Sequence, residues 1–257
     1  MAAINDNLQA VGARIRRAAH AAGRDPAEVK LLAVSKTQPP GALAEAYAAG
    51  QRSFGENYLQ EALDKQNALT GQMGAERARE LEWHLIGPLQ SNKTRAAALA
   101  FDWVHTIDRT KIALRLSEAR AGASAPLNVL IQVNVSGEST KSGVAPAQVA
   151  ALAREVSRLP HLRLRGLMAI PEPTQDIGLQ RERFRTVREL FERLVSEGLP
   201  LDTLSMGMSQ DLESAVAQGA TLVRVGTAIF GPRSKGTLAR APETRPAIPS
   251  AHVKEAN

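Results

Sequence analysis

The chain has no cysteine among its 257 residues. A disulfide framework, a thiolate metal site, an iron–sulfur cluster and a cysteine nucleophile are therefore excluded before any pattern is read. Aromatic residues are only 4%, too few for the stacking platforms of a nucleic-acid surface. The formal charge of +6 would otherwise invite that reading, but the arginines alternate with acidic residues, as in Arg181-Glu182-Arg183 and Arg188-Glu189, and read as solvated helix faces. No nucleic-acid partner is expected. Nowhere does an apolar run approach the roughly 18 residues of a membrane span. The N-terminal Met-Ala-Ala-Ile-Asn-Asp-Asn also lacks the basic and apolar regions of a signal peptide, so a cytoplasmic protein with no membrane association is expected.

What is present is a globular composition, 44% hydrophobic and 23% charged, arranged in strict alternation. Ile4, Leu8, Val11 and Ile15 form the stripe of an amphipathic N-terminal helix over about residues 3–22, ended by Gly23. Strand-like runs follow at Val29–Thr37, Ser53–Tyr58, Trp83–Gly87, Trp103–Ile107, Val129–Val135, Leu162–Ile170, Thr203–Ser209 and Leu222–Gly226. An alanine-rich helix ending at Gly50 and helix-compatible segments near 57–70, 90–100, 109–121, 146–159, 179–197 and 211–218 separate them. Eight strand and helix units in about 250 residues predict one closed (β/α)8 TIM barrel with an extra N-terminal helix. The alternative, a doubly wound open sheet, would carry a glycine-rich dinucleotide turn after its first strand, and Ser35-Lys36-Thr37-Gln38-Pro39 is not one. Residues 1–231 are read as the barrel domain and 232–257, basic and with four prolines, as a disordered tail.

In such a barrel, chemistry sits at the C-terminal ends of the strands. Lys36 follows the first strand, and period-two alternation puts it on the face of Leu32 and Val34, towards the barrel mouth. A lysine there either snorkels from the rim or is paired or covalently bound. Arg224 interrupts the apolar eighth strand and needs an acceptor. Gly226-Thr227-Ala228-Ile229-Phe230-Gly231 then offers small residues and amides at a helix start, which is either a phosphate cradle or a plain strand-to-helix turn. Ser209 after the seventh strand suits the same phosphate or a helix cap. Met206 and Met208 read as core, and so do His84 and His105, which have no third ligand in a metal-site pattern, so no metal is expected. A mouth lysine, a strand-eight arginine and a phosphate-binding turn together describe a pocket for pyridoxal 5′-phosphate (PLP), with the lysine as Schiff-base partner and the arginine facing the pyridine nitrogen. A permanently cationic arginine keeps that nitrogen unprotonated, which favours binding over carbanion chemistry.

The blocks Leu32-Ala33-Val34-Ser35-Lys36-Thr37, Phe54-Gly55-Glu56-Asn57-Tyr58, Trp83-His84-Leu85-Ile86-Gly87, Asn134-Val135-Ser136-Gly137-Glu138, Leu204-Ser205-Met206-Gly207-Met208-Ser209 and Val223-Arg224-Val225-Gly226-Thr227 resemble, in order, the pyridoxal phosphate homeostasis protein family. The resemblance covers about residues 5–231. It implies a single barrel like the N-terminal domain of alanine racemase. Lys36 would bear the cofactor, Ser209, Gly226 and Thr227 hold the phosphate, Arg224 face the ring nitrogen and Asn57 line the pocket. It favours a non-enzymatic carrier of PLP that buffers the cofactor or delivers it to apoenzymes. Should another lysine, for instance Lys141 after the fifth strand, carry the cofactor, the assignment to Lys36 fails. The alternative is an amino-acid racemase, which needs a second proton donor. The racemases that the chain resembles take that donor, a tyrosine, from an added C-terminal domain; here only Tyr47 and Tyr58 exist, and 26 residues follow Gly231. Without that domain and its dimer surface, a monomer is expected.

Overall fold

The computed structural model describes residues 2–136 and 142–232. Its strands are β1 (Lys30–Val34), β2 (Ser53–Glu56), β3 (Glu82–Leu85), β4 (Trp103–Ile107), β5 (Leu127–Val133), β6 (Leu162–Ala169), β7 (Thr203–Ser205) and β8 (Leu222–Val225). All neighbours pair in parallel, and β1 closes on β8 with Leu32 opposite Arg224 and Ala33 opposite Val225. Parallel strands need crossovers, and the chain supplies helices for them. These are α2 (Pro40–Ala48), α3 (Leu59–Met73) with the short α4 (Ala75–Ala78), α5 (Thr94–Ala100), α6 (Thr110–Arg120), α7 (Val149–Val156), α8 (Ile177–Ser196) and α9 (Leu212–Ala217), while α10 (Thr227–Phe230) follows β8. The predicted (β/α)8 barrel is therefore the observed one.

Alternation along the strands divides the core in two. Leu32, Ile86 and Leu222, with Val34 against them, fill one side of the barrel interior, and Trp103, Leu130 and Met168 fill another. The opposite faces, among them Ala33, Val104, Ile131, Leu167 and Val223, join the larger layer beneath the helices. The strands are shorter than the apolar runs suggested, because the chain leaves the sheet to build the mouth. After Ser205, for instance, it turns away at Gly207, and residues 206–211 become a loop.

The extra helix α1 (Ala2–Ala21) buries the stripe read from the sequence, Leu8, Val11 and Ile15 with Ile4 packed beside them. Truncating Leu8 or Ile15 to alanine would cost about 2–5 kcal/mol. Polar side chains of α1 and, just beyond it, Arg24 hold the end of the fold. Asn7 Nδ2 donates to Ile229 O at 2.8 Å, Arg14 Nη1 to Ser209 O at 2.6 Å, and Arg24 Nη1 to Val216 O and Ala220 O at 2.9 and 2.8 Å. Among the described residues no helix is long and apolar enough to cross a membrane. Lys141 and residues 233–257, where the competing lysine and the basic tail were read, lie outside the described residues.

Candidate functional site at the C-terminal mouth of the barrel

The strand ends converge on a cavity of about 560 Å³, inside the range of about 300–1,000 Å³ usual for small-molecule sites. All six residues singled out in the sequence line it: Lys36 after β1, Asn57 after β2, Ser209 after β7, Arg224 on β8, and Gly226 and Thr227 after β8. Val34, Ile86, Ile170 and Met208 supply apolar walls. Met208 thus differs from its core reading, whereas Met206 is fully buried in the core as read. The turn at Gly207 separates the two.

Arg224 is 3% exposed. Its Nη1 donates to Ser205 O at 2.6 Å and Ser205 Oγ at 2.7 Å, and its Nη2 to Ala169 O at 2.7 Å. Burial lowers its pKa to about 10, with Asp211 acting in the opposite sense, so it stays cationic at neutral pH. No carboxylate among the described residues lies within ion-pair distance of it. Asp211 also lines the cavity, but its Oδ1 accepts Met208 N–H at 2.5 Å and so closes the 208–211 loop, and burial raises its pKa.

Lys36 is half-buried, between neighbours that are firmly held. Ser35 Oγ donates to Glu56 Oε1 at 2.6 Å, and the buried Lys65 ammonium donates to Ser35 O at 2.7 Å, Glu56 Oε1 at 2.7 Å and Glu61 Oε1 at 2.6 Å. Glu61 Oε1 also accepts Thr37 N–H at 2.5 Å, and Thr37 sits at φ +65°, a rare conformation for a β-branched residue. This frame was missed in the sequence. The available signal was Lys65 standing between Ala62 and Leu69 on the buried stripe of α3.

Two glycines let backbone approach backbone at the mouth. A Cβ on Gly87 would collide with the backbone of Asn57, so this glycine lets the loop after β2 cross the end of β3. A Cβ on Gly226 would stand 2.9 Å from Val34 O, so the seam between β1 and β8 is tight where Lys36 and the α10 turn meet. Asn57 Oδ1 is buried in that setting without a hydrogen-bond partner. The first amides of α10 have no acceptor within the helix. Neither tyrosine lines the cavity: Tyr58 is 60% exposed, and Tyr47 OH donates to Glu80 Oε2 at 2.9 Å on the outer surface.

Comparison with known proteins agrees with this architecture. The family model described as alanine racemase, N-terminal domain, matches residues 7–234. A pyridoxal phosphate homeostasis protein of Pseudomonas aeruginosa is 59% identical over 239 residues, 93% of this chain and 100% of that protein. That of Escherichia coli K12 is 52% identical over 235 residues, 90% of this chain and 97% of that one. PipY of Synechococcus elongatus, solved with PLP bound, superposes with a TM-score of 0.76 at 38% identity, over 89% of this chain and 100% of its own. An alanine racemase from Clostridium difficile shares the fold alone, with 12% identity, a TM-score of 0.69 and only 56% of that chain covered. From its barrel, and from relatives matched along their whole length at more than half identity, the chain belongs to the pyridoxal phosphate homeostasis protein family.

Proposed function

We propose that the cavity binds PLP and that the chain, as a cytoplasmic monomer, holds the cofactor and releases it to PLP-dependent apoenzymes. The observation that carries this reading is that the first and last strands bring Lys36 and the buried, carboxylate-free Arg224 to one cavity of suitable size. The residues present fit the group. Val34, Ile86 and Met208 offer apolar contact for a flat ring. Asn57 Oδ1 offers an acceptor in need of a donor, and the positive field of Lys36 and Arg224 suits an anionic ligand. When bound, PLP supplies an aldehyde that a lysine amine captures as a Schiff base with loss of water, and a ring that withdraws electrons.

The side chains divide the binding among themselves. Lys36 is the covalent anchor. Ser209, Gly226 and Thr227 hold the phosphate with a hydroxyl and with the amides that open α10. Arg224 faces the ring nitrogen and, being cationic at neutral pH, keeps it unprotonated. Asn57 closes the wall after β2. Supporting a carrier over a racemase, no tyrosine lines the cavity to serve as a second proton donor.

The test is loading with PLP, reduction with borohydride and mass spectrometry. The visible band and the label are expected on the wild type, with the label on Lys36, and both should vanish in Lys36→Ala. A label on Lys141 would overturn the anchor. Loaded protein should reactivate a PLP-dependent apoenzyme, and racemisation of alanine or serine on the order of 1 s⁻¹ or faster would overturn the carrier reading.

A further inference from the structure

The interior of a (β/α)8 barrel is normally packed with branched apolar side chains. Here a line of polar groups runs through it instead. Glu82 and His84 come from β3, His105 from β4, Ser205 from β7 and Arg224 from β8, and all but Glu82 are buried. His105 Nδ1 lies 3.1 Å from Ser205 Oγ, and His105 Nε2 lies 2.9 Å from His84 Nδ1. His84 Nε2 is 3.1 Å from Glu82 Oε2, within reach but not aligned for a linear hydrogen bond. Glu82 lines a second cavity of about 390 Å³, apart from the one that holds Lys36 and Arg224, and its pKa is lowered to about 2 by His84, Trp103 and Ser53.

The two ends of this line, Arg224 and the Glu82 carboxylate, together order the protons in it. A guanidinium can only donate, so Ser205 Oγ accepts from Arg224 Nη1. The Ser205 hydroxyl proton has His105 Nδ1 as its acceptor in the line, and to accept it that nitrogen is bare. A neutral imidazole with a bare Nδ1 carries its proton on Nε2, and that proton is donated to His84 Nδ1. His84 is left with its proton on Nε2, facing the Glu82 carboxylate. In this order every donor faces an acceptor, His84 Nε2 standing off line from Glu82; the reverse order of neutral rings would set a bare His84 Nε2 against the carboxylate and leave the Ser205 hydroxyl proton without an acceptor in the line. An imidazolium at His105 would instead donate from Nδ1 to Ser205 Oγ, taking away the acceptor of the hydroxyl proton and placing a second cation beside Arg224. Burial and the neighbouring Arg224 cation push the His105 pKa well down, in agreement with a neutral ring. His84 also stacks on Trp103, with centroids 5.3 Å apart and planes at 11°, which limits rotation of the chain.

Building on the PLP reading, we propose that Ser205 and His105 are positioning residues for Arg224: His105 draws the Ser205 hydroxyl proton to itself, leaving Oγ turned to Nη1 and the guanidinium locked in one orientation under the ring site. The chain thus selects a neutral His105 and a single cation at the cavity floor. Neither residue contacts the cofactor. Both act through Arg224.

Nitrogen-15 spectra of the imidazoles in the protein without added PLP test the chain directly. His84 and His105 are expected as neutral rings protonated on Nε2; an imidazolium or an Nδ1-protonated ring at either position near neutral pH overturns the proposal. The effect on the site is read in protein loaded with PLP. Ser205→Ala and His105→Leu should shift the visible band and weaken PLP binding about tenfold, the scale of one hydrogen bond to a charged group. His105→Gln, which accepts and donates without carrying charge, should restore the wild-type band. Wild-type spectra in all three variants, or a Gln variant as altered as the Leu variant, overturn the positioning role. A wild type that takes up no PLP would sink the cofactor reading instead, and the imidazole spectra would still decide the chain.

Discussion

Two buried cations stand at the same end of the barrel and are satisfied in opposite ways. Lys65, 4% exposed, is locked between Glu56 and Glu61 and has only Ser35 O besides. Arg224, 3% exposed, has carbonyls and a hydroxyl but no carboxylate partner. The first cluster spends its charge internally, with a carboxylate to spare, and burial still pushes Glu56 upward. The second keeps its positive charge at the cavity with no carboxylate in contact, Asp211 acting only from across it. Taking a cation out of water is costly, and one left without a counter-charge is tolerated where a ligand or dipoles stabilise it. The paired cation therefore belongs to the architecture, and the unpaired one to the site.

Breaking each cluster should separate the two roles. Lys65→Met leaves Glu56 and Glu61 without their cation and is expected to cost about 3–5 kcal/mol of stability by urea unfolding, with much of the loss recovered in Lys65→Met/Glu56→Gln. Equal destabilisation by the double variant would show that packing, not charge, is at stake. Arg224→Leu is expected to cost no more than about 1–2 kcal/mol of stability, from carbonyls left unpaired, while markedly weakening PLP binding and altering the visible band of the loaded protein. Global unfolding in this variant would erase the distinction between the clusters. A smaller effect concerns Arg14, paired with Glu213 and donating to Ser209 O. Arg14→Ala should leave stability within about 1 kcal/mol, since the pair is partly exposed, but should lower the preference for PLP over pyridoxal severalfold. An unchanged preference would free the 208–211 loop from control by α1. A pH dependence confined to acid belongs to the far end of the polar line. Glu82 has its pKa lowered from 4.5 to about 2, so it contributes stability above about pH 4.5 that is lost as pH falls towards 2. Glu82→Gln should flatten the stability profile within that window, so that it is less stable than the wild type near neutrality and the difference closes as pH falls towards 2.

The sequence disclosed those parts of the site that break a local pattern. Lys36 and Arg224 are charges at the end and in the middle of apolar strands, and Gly226-Thr227 follows the last of them. Each violates its own strand, so no partner is needed to notice it. The stripe of α1 and the eight strands were legible for a related reason, because periodicity is carried by near neighbours. What escaped depends on closure. His105 meets a hydroxyl 100 positions away, Ser209 O is held by an arginine 195 positions earlier, and Ser35 O by a lysine 30 positions later. The histidines read as ordinary core because a ring in a strand shows nothing of its neighbours. Gly87 likewise ends a strand in the sequence, and only the crossing Asn57 loop shows why nothing larger fits.

The joint between β1 and β8 has a further consequence. Lys36 is among the first residues of the barrel to leave the ribosome and Arg224 among the last, so no shorter chain assembles both sides of the cavity. A ligand held by both fastens the ends of the sheet across nearly the whole polypeptide, like a clasp on a ring. Its binding energy then opposes parting of the seam, and free ligand at 100 times its dissociation constant would add about 2.7 kcal/mol to resistance against unfolding. Conversely, a brief parting of that one joint would unfasten the ligand's grip while the other strand pairings stayed intact.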